Sequence, residues 1–359
     1  MTVSTPLFTS LGMFIIDDNQ YPIEWDREDD LNVIGGGGSY AIVGARIIAG
    51  FSRAPQICGI IDKGYDFPLS VEQELQSWKC GLVYRTDETR RTTRGVNVYD
   101  KQETRGFYYK TDKKRIEPED VVDDQRLCRS KSYHLLCSVE RCRNFIDDIG
   151  QVNREAVYIY EPIPDVCIPE NIELLKELVL GLIDVFSPNL KEACLLAGIE
   201  EISLDMNNDI NESITALESL ASTFTSHMTK EGSGVVIRCG AHGCYVSSSN
   251  WKGMLPAYHD AQDTQAVVDV TGGGNAYCGG FVVGLLMSGY DWKIAGICGN
   301  LASGCVIEQL GMPLVDAGVG NNNGDVWNKI HVLKRFQNYV TKHAINNAQL
   351  SWMYPEEEQ

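Results

Sequence analysis

The stretch Asp269-Val270-Thr271-Gly272-Gly273-Gly274-Asn275-Ala276 decides how this chain is read. Three adjacent glycines present backbone N–H groups with no side chains in the way. The apolar, glycine-spaced segment from Ala276 to Met287 reads as a helix whose N-terminus faces that loop. Bare amides at a helix N-terminus make an anion hole suited to phosphate. In a phosphate-transfer enzyme a carboxylate at the end of such a loop could take the proton from an attacking hydroxyl. Asn275 stands there instead, and a carboxamide is no base near neutral pH.

The rest of the chain frames that loop. Its 359 residues can bury one large core or two smaller ones, and 43% hydrophobic with 22% charged residues is ordinary for a globular protein. No apolar run reaches the roughly 18 residues that span a bilayer. The N-terminus has no basic, signal-type lead, so a cytoplasmic protein is expected, with the nucleus as the second compartment. Twelve cysteines scattered through apolar stretches read as reduced core thiols. Cys137 with Cys142, and Cys239 with Cys244 around His242, have spacings that suit zinc poorly and read as strand-end and turn residues. A net charge of −18 disfavours a nucleic-acid partner. Between Arg85 and Arg115, however, ten basic residues face five acidic ones, which fits a solvated two-signed surface or a flap that attracts an anion.

Outward from the loop, strands and helices alternate. Phe8 to Ile16 reads as a buried strand delivering Asp17 and Asp18 at its C-terminal end, where open α/β sheets bind ligands. Gly35 to Gly38 lead into a helix closed by Gly50. Residues 83–111 alternate like strands of a hairpin or small sheet. Strands are expected at 133–138, 156–160 and 234–238, the last with an antiparallel return at 244–247. Helices are expected at 139–149, 171–182, 191–197, 211–228, 292–308 and about 326–344. This alternation implies a mostly parallel sheet with helices on both faces. The Asn-rich segment 318–324 reads as a linker and the acidic end 355–359 as a tail. No Gly-x-Gly-x-x-Gly follows the first strand, which argues against a dinucleotide-dependent dehydrogenase.

The loop resembles the second signature of the PfkB (ribokinase-like) carbohydrate kinase family, Asp-Thr-x-Gly-Ala-Gly-Asp-Ala-Phe. Asp269, Thr271, Gly272, Gly274, Ala276 and Tyr277 fall on it without a gap. Further matches follow in order over about residues 8–316: Gly12 with Asp17, Gly35-Gly36, Gly59 to Gly64, Thr92 to Val96, Thr104 to Phe107, Ser187 to Ala193, Val236 to Gly243, Gly299 to Ala302 and Gln309 to Gly311. A fungal subgroup of the maintenance-of-killer type is similar in general look. The resemblance implies a ribokinase-like Rossmann-type sandwich with a small β lid, built from about 17–34 and 83–111 within a core of 1–316. Residues 317–359 then form a linker, helix and tail.

The resemblance also implies transfer of the ATP γ-phosphate to a sugar or nucleoside hydroxyl, with Mg2+ and, as an option, K+. On this basis Gly272, Gly273 and Gly274 form the anion hole and Asn275 takes the base position. Asp17, Gly35, Gly36, Tyr40 and Arg94 face the acceptor. Asn189, Arg238, Gly240, Gly243 and Asn300 face the nucleotide, and Glu192, Asp269 and Thr271 serve the cations. Read locally, Asn189 and Glu192 are equally a helix N-cap and its capping-box partner, and both roles can hold together. Three departures bear on function. Asn275 replaces the catalytic Asp, Ser39-Tyr40-Ala41 stand where an Asn grips the sugar, and Glu161-Pro162-Ile163-Pro164-Asp165 replaces Asp-Pro-Asn. A base contributes typically ~10²–10⁴-fold, so two readings stay open. One is a kinase with slowed or rerouted chemistry. The other is a pseudokinase that binds nucleotide or a protein partner. A homodimer paired through the lid is compatible with either.

Overall fold

The computed structural model describes residues 4–101, 105–205, 209–260, 262–263, 265–316 and 325–345. The expected linker 318–324 and tail 355–359 lie outside them. A nine-stranded sheet runs in the order Lys252–Leu255, Cys244–Ser248, Gly234–Arg238, Val185–Phe186, Val157–Pro162, Ser132–Cys137, Phe8–Ser10, Ile57–Gly64, Val83–Asp87. The seven strands from Gly234–Arg238 to Val83–Asp87 pair in parallel, and the other two are antiparallel returns. Two apolar clusters cover its two faces. The α/β sandwich is therefore as expected.

One face holds the helices that build the loop. Gly37–Ala49 is buried on nearly every side, and Gly273–Met287 packs across it. A β-carbon on Gly44 would strike the carbonyl of Ala276, and one on Gly279 the carbonyl of Ala41. The glycine spacing thus brings two backbones into contact, which fixes where Gly272–Asn275 sits over the strand ends.

A second sheet of four strands, Asp30–Gly35, Ile15–Gln20, Arg94–Tyr99 and Arg105–Tyr109, forms the small β layer. Two expectations change here. The run from Phe8 to Ile16 is not one strand. It leaves the large sheet after Ser10, because Gly12 meets the Gly38 backbone too closely for a straight path: a β-carbon there would lie 2.7 Å from Gly38 N. Asp17 and Asp18 therefore belong to the small sheet. Val83–Asp87, expected with the small sheet, extends the large one beside Ile57–Gly64.

The C-terminal segment also differs from expectation. The helix runs over Val332–Lys342 instead of starting near 326, because Asn328 and Lys329 take positive φ (45° and 65°) and turn a short hairpin, Val326–Trp327 with Ile330–His331. Trp327, Val332, Phe336 and Tyr339 are buried in the core cluster that holds Gly273–Met287. Arg46 and Asp325 form a fully buried ion pair. The described residues 325–345 are thus part of the core, where the sequence pattern set them apart. Among the described residues no helix is long and apolar enough to cross a membrane.

Candidate nucleotide site

Gly272 caps the Gly273–Met287 helix in a left-handed conformation (φ 75°), open to glycine at no steric cost. The ring of Tyr40 lies directly against its α-carbon. Gly273 N donates to Val270 O at 3.2 Å. The expected three-glycine anion hole is therefore narrower. Gly272 is covered, Gly273 N is engaged, and the next amides of the first turn, Gly274 and Asn275, have no intrahelical partner. Gly273, Gly274 and Asn275 line a cavity of about 800 Å³, and Gly272 does not.

At the floor of that cavity stands Glu161, the charged end of the apolar strand Val157–Pro162. Its Oε1 pairs with Arg238 Nη1 at 2.8 Å. Its Oε2 accepts from Asn275 Nδ2 at 2.9 Å and lies 2.9 Å from His134 Nε2. His134 Nδ1 in turn lies 3.1 Å from Ser10 Oγ, and both residues are fully buried. Burial alone would raise the Glu161 carboxyl, but Arg238, His134 and Asn275 together pull it down to about 2. Arg238 continues the network by donating to Ser187 O at 3.0 Å and meeting Glu192 Oε2 at 3.4 Å. Its charge is raised further in pKa by these carboxylates despite burial. A β-carbon on Gly274 would strike Arg238 Nη1, so the guanidinium rests on the anion-hole turn itself.

Glu192 and Asn189 form the expected capping box, Glu192 Oε2 accepting from Asn189 N and Asn189 Oδ1 from Glu192 N, both at 2.8 Å. They also line the cavity, so the structural and ligand-facing roles coincide. Burial pushes the Glu192 carboxyl up, against the pull of Arg238 and the Asn189 amide. Gly240 and Gly243 line the same cavity in left-handed turns (φ 57° and 96°). Asn300 lines it as well, but its Nδ2 is committed to Pro256 O at 2.8 Å and to Tyr339 Oη at 3.3 Å.

The residues expected to face an acceptor do not line this cavity. The Asp17 carboxylate packs between the α-carbons of Gly35 and Gly95, and Gly36 makes the turn (φ 84°) into the helix. Tyr40 is buried against Gly272. Arg94 bonds Asp66 Oδ2 at 2.7 Å and Asn32 Oδ1 at 3.0 Å, tying the small sheet to the loop after Ile57–Gly64. Asp269 Oδ1 accepts from Thr271 N at 2.9 Å, so that pair shapes the turn and stays outside the cavity lining.

The cavity has room for a nucleotide. Mg2+ requires oxygen donors, often through water, and Glu192 supplies carboxylate oxygens at the cavity edge. His134, Glu161 and Cys278 also place N, O and S ligand atoms within 4.8 Å of one another. There Arg238, His134 and Asn275 already satisfy the carboxylate, and the guanidinium repels a cation.

Several residues of the site were not singled out from sequence. Tyr258, His259 and Asp260 form one wall. His259 Nε2 lies 2.9 Å from Glu308 Oε1, whose carboxylate is clamped by Arg335 at 2.5 and 2.7 Å and accepts from Asn328 Nδ2 at 2.9 Å. Tyr258 stacks on Tyr339, and Lys342 pairs with Asp260 at 3.0 Å. A lone His134 inside an apolar strand and a Glu ending another were the available signals.

A family profile described as pfkB family carbohydrate kinase matches residues 66–314. Protein MAK32 of Saccharomyces cerevisiae is 33% identical over 96% of this chain and 94% of its own length. The ribokinase of Giardia lamblia shares the fold with a TM-score of 0.67 at 15% identity, over 95% of this chain and 100% of its own. A putative ribokinase II from E. coli, solved in complex with ATP and Mg2+, aligns with a TM-score of 0.61 at 15% identity, over 95% of this chain and 100% of its own.

Proposed function

The chain belongs to the pfkB family of carbohydrate kinases, and from that premise we propose that it binds ATP with Mg2+ in the cavity but transfers the phosphoryl group to a sugar or nucleoside hydroxyl only weakly. One observation carries this reading: Asn275, at the base position, donates its Nδ2 to Glu161. Its remaining polar atom is a carbonyl oxygen, which can orient a hydroxyl without taking its proton. Gly274, Asn189, Glu192 and Arg238 supply positioning and charge, which are the larger part of phosphoryl-transfer catalysis. The nucleotide-bearing E. coli relative supports the assignment of the cavity.

The second reading is a pseudokinase, favoured by Tyr40. Its ring fills the space over Gly272 and is buried at the position where the family keeps an acceptor-gripping Asn, while Gly273, Gly274 and Asn275 line an open cavity. Such a protein would act through partner contacts or a homodimer. Exposed Leu31, Val98, Phe107 and Tyr108 on the small sheet suit either.

The test is calorimetry with ATP–Mg2+, followed by ATP turnover across a sugar and nucleoside panel. Binding with slow turnover on one acceptor is the expected result. Binding with none selects the pseudokinase. No heat at millimolar ATP would remove the nucleotide reading, and turnover at ordinary kinase rates would remove the weakened chemistry.

A further inference from the structure

We propose that Glu161 is an internal anion: its carboxylate holds the place at the glycine turn that a phosphate oxyanion would take, so that ligand must displace it. The inference rests on the nucleotide reading above and adds a regulatory residue to the same site.

The argument is one of position and charge. A phosphate at a helix N-terminus looks for first-turn amides, a guanidinium and polar hydrogens on the following side chain. Glu161 already takes the guanidinium and the polar hydrogens of that set and stands beside the first-turn amides without bonding them. Oε1 takes Arg238 Nη1 at 2.8 Å, and Oε2 takes Asn275 Nδ2 at 2.9 Å. The same Oε1 lies 3.6 Å from where a β-carbon on Gly274 would stand, so the carboxylate sits over the turn. His134 backs it from the protein interior at 2.9 Å, braced by Ser10, which fixes the carboxylate where it is. Glu161 lines the cavity, so an incoming anion reaches it without passing through the core.

Charge points the same way. Around the turn stand one guanidinium, Arg238, and two carboxylates, Glu161 and Glu192. An approaching polyphosphate meets a net negative floor, and Arg238 is held by carboxylates before the ligand arrives. Removing the charge of Glu161 frees one face of the guanidinium and leaves Glu192 in place for Mg2+. This also accounts for Asn275. An aspartate there would set a second carboxylate against Glu161 Oε2, whereas a carboxamide donates to it.

The experiment compares native protein with Glu161→Gln, an isosteric neutral change, using calorimetry at fixed ionic strength with two probes, ATP–Mg2+ and inorganic pyrophosphate. The variant is expected to bind both about tenfold or more tightly than native protein. Tighter pyrophosphate binding while neither protein binds ATP would leave the inference standing and remove the nucleotide reading. Native protein that binds ATP, with a folded Glu161→Gln that binds both probes no more tightly, would overturn the inference and leave the nucleotide reading intact. Should Glu161→Gln fail to fold by circular dichroism, Glu161→Asp serves instead. It keeps the charge but withdraws it by one methylene from Arg238 and Asn275, and a gain in affinity smaller than tenfold is expected; unchanged or weaker binding would overturn the inference.

Discussion

Two clusters in this protein are built from the same parts and do different things. In one, Glu161 is held by His134, Arg238 and Asn275. In the other, Glu308 is held by His259, Arg335 and Asn328. Each carboxylate meets a histidine Nε2, a guanidinium and an asparagine Nδ2, and each is drawn down to about 2 against the push of burial. The difference is what lies beside them. Glu161 forms part of a cavity floor, next to the Gly273–Asn275 turn and a second carboxylate, Glu192. Glu308 is packed against the C-terminal hairpin and helix, with Arg335 wholly buried. The same three kinds of partner hold a carboxylate that lines the cavity in one place, where it competes with a ligand, and one outside the cavity lining in the other, where Arg335 clamps both of its oxygens as a rivet.

The largest expected effect would sharpen that contrast. Arg335→Ala leaves the half-buried Glu308 without its guanidinium partner, and the loss is expected at about 3 kcal/mol, the lower end for breaking a buried pair. Urea unfolding should register that loss. If the variant proves as stable as native protein, the riveting role assigned to this cluster fails.

Acid acts on both clusters together. The ordinary glutamate value is 4.5 and both folded values are about 2, so the stabilisation is complete above pH 4.5 and disappears as pH falls toward 2. Each depressed carboxyl contributes about 3 kcal/mol by linkage. Denaturant midpoints measured from pH 6 to pH 2.5 should fall steeply only below about 4.5. A fall confined to Arg335→Ala and absent in native protein would break the likeness between the two clusters.

The smallest effect separates them by function. Asn275→Asp turns a donor toward Glu161 into a like charge, with an expected loss of about 1–3 kcal/mol and no gain in turnover. Pairing it with Glu161→Gln should restore the stability and raise phosphoryl transfer. A single Asn275→Asp variant that is stable and faster than native protein would mean that Glu161 does not govern this position.

What the sequence revealed follows from the range of the interactions involved. The Gly272–Asn275 turn and its helix were legible because apolar residues, glycine spacing and the cap are all local. The capping box of Asn189 and Glu192 was legible for the same reason. The break after Ser10 was not, since it depends on Gly12 meeting Gly38 in space. Nor were Arg46, Asp325, Glu308 and Arg335, which read as surface charges until their partners are brought to them. Asp17 and Arg94 carried the right residue types for an acceptor site. In the fold Asp17 is packed between Gly35 and Gly95, and Arg94 is bonded to Asp66 and Asn32, contacts that no local pattern announces. Glu161 showed only as a departure in a motif, because its three partners lie 27, 77 and 114 residues away in the sequence.

The pair Arg46–Asp325 has a consequence for how the protein is made. Arg46 lies wholly inside the core, and its carboxylate partner is 279 residues further along the chain. At ordinary rates of translation the ribosome takes on the order of tens of seconds to cover that interval. Over that interval Arg46 has the carbonyl of Trp78 as a partner, but no carboxylate to balance its charge. A chain that ends before residue 325 therefore lacks the carboxylate that neutralises this buried guanidinium.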